Sequence, residues 1–208
     1  MCRPRNWNAS RYGWYNHCDN SHIIPLNSNT EVSPMALEIE RRFLVKLPLP
    51  WYVLFKLYQC TNTEIVQTYL TDPPNSRVRQ CDIKAFGVPR RFEYFLTTKK
   101  TIATGINEEQ EERLIAYQYA WKVVNKDKLR HEIRKVRYNL LFAKQPFELD
   151  IFRDRLKGLA ILEIELDYPN QTVRIPPYLS IEKEVTGDDG YSNYNLSKLN
   201  SYIIPPSP

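Results

Sequence analysis

Charged side chains recur at alternate positions along this chain, and their types and spacing are what could do chemistry. Glu38, Glu40 and Arg42 alternate in EIERR, Arg77 and Arg79 in RVR, and Thr97 and Lys99 in TTK. Glu109 and Glu111 alternate in EQE, Lys135 and Arg137 in KVR, Glu148 and Asp150 in ELD, and Glu163 and Glu165 in EIE, while Lys183 stands in EKE. Residues two apart on a β-strand share a face. Any one pair reads equally as the solvated face of an antiparallel strand, since such sheets often show one face to water. The set as a whole says more. Leu162, Ile164 and Leu166 interleave with Glu163 and Glu165, so the opposite face of that strand is core. Some segments carry only acids and others only bases. If these faces point together, eight acids meet seven bases. Buried charge is costly unless it is paired or liganded. Carboxylates hold Mg2+ or Mn2+ as hard oxygen donors, and Lys and Arg hold phosphate oxygens. A barrel lined in this way suits water, divalent cations and a polyanion.

Strands must present those faces. Residues 37–46 (LEIERRFLVK) alternate charged and apolar and predict a strand that Pro48 and Pro50 end. Residues 51–59 predict a short helix. Residues 64–70 and 76–80 predict two strands joined by the turn Asp72-Pro73-Pro74-Asn75. Further strands are expected over 91–100 and 108–114, then a helix over 116–127, a hairpin pair at 128–141 and 146–153, and a strand over 159–168. A last helix is expected over 192–202, with Ser192 or Asn193 suited to its N-cap, or with Tyr191, Ser192 and Asn193 shaping a tunnel mouth. About eight sequential strands with few helices point to an α+β, mainly β fold: an antiparallel barrel or sandwich rather than a parallel sheet. Trp51, Tyr119, Trp121, Tyr138 and Phe152 are expected to fill the core between sheet and helices. His131, in the polar run KLRHEIRK, is expected at the surface.

The 208 residues suit one domain with a tail. A hydrophobic content of 42% argues against wholesale disorder. No run of apolar residues is long enough for a membrane-spanning helix. The net charge of +5 suits an anionic ligand but is too small to name nucleic acid as the partner. Cys2, Cys18, Cys60 and Cys81 form no CxxC or Cys/His cluster, so neither a zinc site nor a disulfide framework is expected, and the default is the reducing cytoplasm. No export signal is visible. Residues 1–34 hold two of the four Trp and two of the three His without apolar periodicity. They are expected to be a disordered tail or a mis-assigned start before Met35, with 35–208 as the domain. Nothing demands a homodimer, although barrels of this size commonly form one.

Seven landmarks in order resemble one family. EIERR at 38–42 is similar to the ExExK signature of the CYTH superfamily, the triphosphate tunnel metalloenzymes. RVR at 77–79, LTTK at 96–99, ExE at 109–111, KVRY at 135–138, ELDIF at 148–152 and LEIEL at 162–166 follow, and KEVTGDDGYSNYNL at 183–196 resembles the family's C-terminal segment. The resemblance covers residues 37 to about 199 and implies an eight-stranded antiparallel closed barrel, open as a tunnel, with a few flanking helices, that binds a triphosphate with Mg2+ or Mn2+. It implies that Glu38, Glu40, Glu163 and Glu165 are the main metal ligands, assisted by Glu109, Glu111, Glu148 and Asp150. It makes Arg42, Arg77, Arg79, Lys99, Lys135, Arg137 and Lys183 the phosphate clamp. Arg42 stands where the family usually has Lys, and Glu108 where Arg is expected.

The activity this implies is metal-dependent hydrolysis of a small triphosphate, with inorganic tripolyphosphate the first choice. Adenylate cyclase, from the same family, uses a similar cradle. Thiamine triphosphate and RNA 5′-triphosphate are further substrates to weigh. A non-catalytic polyphosphate or nucleotide binder would keep the bases without productive metal geometry.

Overall fold

A computed structural model of the chain describes residues 36–58, 60–71, 75–85, 88–124 and 131–202. The expected tail and most of the Asp72-Pro73-Pro74 turn fall outside these residues. Alternating patterns become strands throughout: β1 (Ala36–Val45), β2 (Asn62–Leu70), β3 (Ser76–Ala85), β4 (Val88–Ala103), β5 (Ile106–Leu114), β6 (Glu132–Phe142), β7 (Gln145–Phe152), β8 (Ala160–Glu165) and β9 (Ile181–Glu184). Every pairing is antiparallel, in the order β5-β4-β3-β2-β6-β7-β8-β1, and β1 returns to β5 to close the barrel.

Closure depends on β1 changing partners along its length. Ala36–Ile39 pairs with β5, and Phe43–Val45 pairs with β9, while residues 40–44 pair with β8. The strand β9 is a ninth strand beyond the eight that the sequence suggests. Three of its four residues are charged, so its pattern signals no core face. Two elements are shorter than expected. β8 ends at Glu165, and the last helix, α3, covers only Asn193–Lys198. Ser192 is its N-cap, its hydroxyl accepting from Asn195 N at 3.2 Å.

Helices α1 (Trp51–Tyr58) and α2 (Ala116–Val124) lie against the outside of the barrel. From α1, Val53 and Leu57 enter a core with Phe43, Val45, Leu149, Leu162 and Ile164, the outward faces of β1, β7 and β8. Tyr119 and Val123 of α2 pack on Leu70, Val78 and Leu114. Phe152 is buried as expected, and Tyr119 and Tyr138 pack against the core. The two tryptophans do not: Trp51 is 79% and Trp121 57% exposed. The reason is helical phase. Each Trp sits on the side of its helix opposite the residues that dock, and a short helix can dock only one stripe. His131 is half-buried and packs edge-on against Tyr194. Cys60 and Cys81 are free thiols. Among the described residues no helix is long and apolar enough to cross a membrane.

The barrel interior changes character along its axis. Leu44, Ile133, Phe152 and Ile161 share inward faces with the charged residues, yet they join Leu156, Leu159, Val185 and Leu196 in a second apolar core. One end of the barrel is thus filled, with α3 seated over it.

Candidate active site

Inward faces of seven strands bring the period-2 charges together. On one side Lys99 Nζ lies 2.7 Å from Glu38, 3.6 Å from Glu40 and 3.9 Å from Glu109. Arg77 reaches Glu109 at 3.3 Å. Arg79 donates to Glu111 and, at 3.3 Å, to Thr97 Oγ1. Arg42 lies 3.8 Å from Glu40 and donates to the Tyr191 carbonyl at 3.0 Å. On the other side Arg137 spans three acids. It bonds both oxygens of Asp150 at 2.7 Å and Glu163 at 2.7 Å, and it also pairs with Glu148. Lys135 pairs with Asp150 above it and sits 5.6 Å from the Phe152 ring centroid, where charge gives way to the apolar cluster.

Two of the candidates stand apart from this cluster. Lys183 is on β9, half-exposed, over the Tyr191 ring at 4.7 Å and 4.0 Å from Asp188. Glu165 shares the inward face of β8 with Glu163 but lies at its exposed end. β2 lines the barrel with uncharged groups, Gln67 and Tyr69, that charge spacing does not flag. They stand two apart on one face, but with no charge their spacing carries little signal in the sequence.

The geometry leaves charges of both signs under-compensated. The ladder places Glu40 opposite Glu165 and Glu148 opposite Glu163, and like charges in cross-strand pairs repel. Burial, and then Glu109, push the Glu38 carboxyl up to about 8, although Lys99 opposes this. Burial pushes Glu148 up to about 7 against the pull of Arg137, and raises Glu163 as well. Burial also disfavours ionisation of Glu109 and Asp150, but the cations beside them reverse this. Arg77, Arg79 and Lys99 hold Glu109 at about 2, and Arg137 and Lys135 hold Asp150 at about 2. Donors are left over too. The Nε–H groups of Arg42, Arg77 and Arg79 are buried without a hydrogen-bond acceptor. Such groups are uncommon in folded proteins and call for a partner.

This donor set suits a hard divalent cation by its chemistry: carboxylate oxygens only, more of them than the adjacent cations neutralise. Glu38, Glu40, Glu163 and Glu165 would hold it. Among the described residues no three acids converge on a single point, because they turn to Arg and Lys instead. Asp150 has both oxygens on Arg137 and Lys135.

A pH dependence follows. With Glu38 and Glu148 raised to about 8 and about 7, the folded chain holds more protons than the unfolded chain between about pH 4.5 and 8. Those groups therefore make stability fall as pH rises through that window. Glu109 and Asp150 act with the opposite sign: their stabilisation is complete above about pH 4.5 and is lost as pH falls toward 2. The metal-free protein is expected to melt highest near about pH 5 and lower toward about pH 8, with Mg2+ flattening the decline. A melting temperature that climbs steadily from about pH 5 to about pH 8 would contradict the crowding of these carboxylates.

No family model matches the chain. An inorganic triphosphatase of Acetivibrio thermocellus is 36% identical over 104 residues, which make up 50% of this chain. The match spans 65% of that relative, slightly less than two thirds of its length. Among solved structures, the inorganic triphosphatase NE1496 is 26% identical with a TM-score of 0.47, over 77% of this chain and 93% of that one. A putative adenylyl cyclase from Hippeastrum with a dominant triphosphatase activity is 16% identical with a TM-score of 0.41, over 64% of this chain and 80% of that one.

Proposed function

We propose that this chain, whose resemblance to the CYTH superfamily the Acetivibrio thermocellus triphosphatase supports, is a divalent-metal-dependent triphosphatase whose preferred substrate is inorganic tripolyphosphate. The observation that carries the reading is the pairing of leftovers inside one barrel. Three buried guanidinium N–H groups want acceptors, and crowded carboxylates want a cation. A magnesium or manganese triphosphate supplies both, as phosphate oxygens for the arginines and metal for the acids.

The roles divide by position. Arg42, Arg77, Arg79 and Lys99 bind the phosphate chain and stabilise charge on the transferring group. Arg137 holds Glu148 and Glu163 in place, so it orients donors as well as offering charge. Lys135 is buried beneath Asp150 and acts through the field it adds. Bound metal supplies charge neutralisation and a water acidified for attack on phosphorus. No covalent intermediate is needed, and the sequence holds no Ser or Cys in a nucleophile motif. The apolar cluster of Leu44, Ile133, Phe152 and Ile161 keeps water from one end of the charged interior. The cysteine spacing, with no CxxC or Cys/His cluster, is the reason for placing the chain in a reducing compartment such as the cytoplasm.

Phosphate release from tripolyphosphate, ATP and pyrophosphate, each with Mg2+, Mn2+ or EDTA, tests this. The expected result is fast release from tripolyphosphate that EDTA abolishes. Release undiminished by EDTA would remove the metal from the reading. Cyclic AMP from ATP without phosphate release would replace hydrolysis with cyclisation.

A further inference from the structure

Besides Glu109, Arg77 has a neighbour that the charge pattern does not flag. Tyr69 is its cross-strand partner in the β2–β3 ladder, on the same inward face. The Tyr69 hydroxyl faces Arg77 closely enough to favour its charge, and it accepts from Gln67 Nε2 at 2.6 Å, Gln67 being itself buried. Glu109 takes another part of the Arg77 fork at 3.3 Å, and the Nε–H remains without an acceptor. Tyr69 is fixed in turn from below. Its ring meets that of Tyr194 edge-on, with centroids 5.2 Å apart and planes at 72°. Tyr194 belongs to α3, which Arg155 ties down through the carbonyls of Leu199 at 2.6 Å and Ser197 at 2.7 Å.

We propose that Tyr69 is a positioning residue that aims the Arg77 guanidinium into the barrel, and that the C-terminal helix sets that aim through the Tyr194–Tyr69 ring contact. The assignment rests on the triphosphatase reading for the ligand Arg77 meets, and on geometry alone for the contact. A phenol suits the task. Burial pushes its ionisation up, so it remains a neutral acceptor that orients Arg77 without cancelling its charge. A carboxylate at the same place would pair off the cation. Arg42 is served by the same C-terminal segment: its N–H donates to Thr186 Oγ1 at 3.0 Å and its guanidinium to the Tyr191 carbonyl. Thus two inward arginines take their aim from residues 186–194.

The test is a double-mutant cycle on the full chain with magnesium tripolyphosphate. Tyr69→Phe keeps the ring and removes the hydroxyl, and is expected to lower kcat/KM about tenfold, mostly through KM. In an Arg77→Ala background it should then cost nothing further, because the group it positions is gone. Tyr194→Ala, at a half-exposed site, should raise KM in the same direction and likewise lose its effect in that background. Side-chain NMR of Arg77 gives a readout without substrate. Separate, slowly exchanging Nη signals are expected in the wild type and averaged signals in Tyr69→Phe. Equal losses with and without Arg77, or unchanged Arg77 signals, would make Tyr69 a packing residue and overturn the proposal. A wild type that releases no phosphate from any triphosphate would overturn the proposed function instead, and the NMR comparison would still decide the contact.

Discussion

Glu165→Ala is expected to lower phosphate release at least about a hundredfold while leaving the melting temperature within about 2 °C of wild type. The two halves of this result have separate causes. Glu165 sits at the exposed end of β8 and makes no hydrogen bond or ion pair among the described residues, so the fold does not lean on it. It is the cross-strand partner of Glu40 in the ladder, a position where like charges repel. Removing one relieves repulsion in the metal-free protein and deprives a cation of a ligand in the loaded one. Apparent affinity for Mg2+ should weaken along with turnover. Near-normal turnover in Glu165→Ala would sink its assignment as a metal ligand and move the site deeper, to Glu38, Glu40 and Glu163.

Asp150→Ala is expected to do the reverse, with its main effect on stability. Asp150 is fully buried, and its two oxygens hold both Lys135 and Arg137. Deleting it leaves the buried Lys135 without its partner and beside Arg137, which keeps Glu148 and Glu163. Breaking a buried pair in this way costs about 3–5 kcal/mol, which for a domain of this size lowers the melting temperature by roughly 6–20 °C. Burial already pulls Lys135 below its ordinary value, so in the variant it should shed its proton to escape the cost. A Lys135→Met, Asp150→Leu double variant removes both charges and should recover much of the loss, since apolar replacements of buried ion pairs are often neutral or better. If Asp150→Ala melts like the wild type, Asp150 is not structural and its oxygens are free to serve a metal.

Much of this arrangement was legible in the linear pattern. EIE, RVR, EQE, KVR and ELD each predict a strand with one charged and one apolar face, because side chains alternate across a strand whatever it pairs with. That local rule is why eight of the nine strands were expected, and why β9 was not. IEKE has no apolar alternation and becomes a strand only because the edge of β1 at residues 43–45 is open to it. Trp51 and Trp121 show the same limit from the other side. Their apolarity suggests core, but docking of Val53 and Leu57, or of Tyr119 and Val123, turns them to solvent.

By itself, then, the sequence determined that alternating acids and bases would line the faces of antiparallel strands opposite an apolar core, and this is enough to point to an anionic ligand and a hard cation. Tertiary structure alone decided which charges meet. Register sets Glu40 against Glu165 and stacks Lys135 beneath Asp150, and closure of β1 on β5 brings Glu38 to Glu109. It also decided that one end of the barrel is plugged and that Lys183 stays outside. The physical reason is range. The period of a strand is a property of neighbouring residues, whereas burial, repulsion and pairing depend on distances between residues as far apart in the chain as Glu40 and Glu165, which only the closed barrel brings face to face.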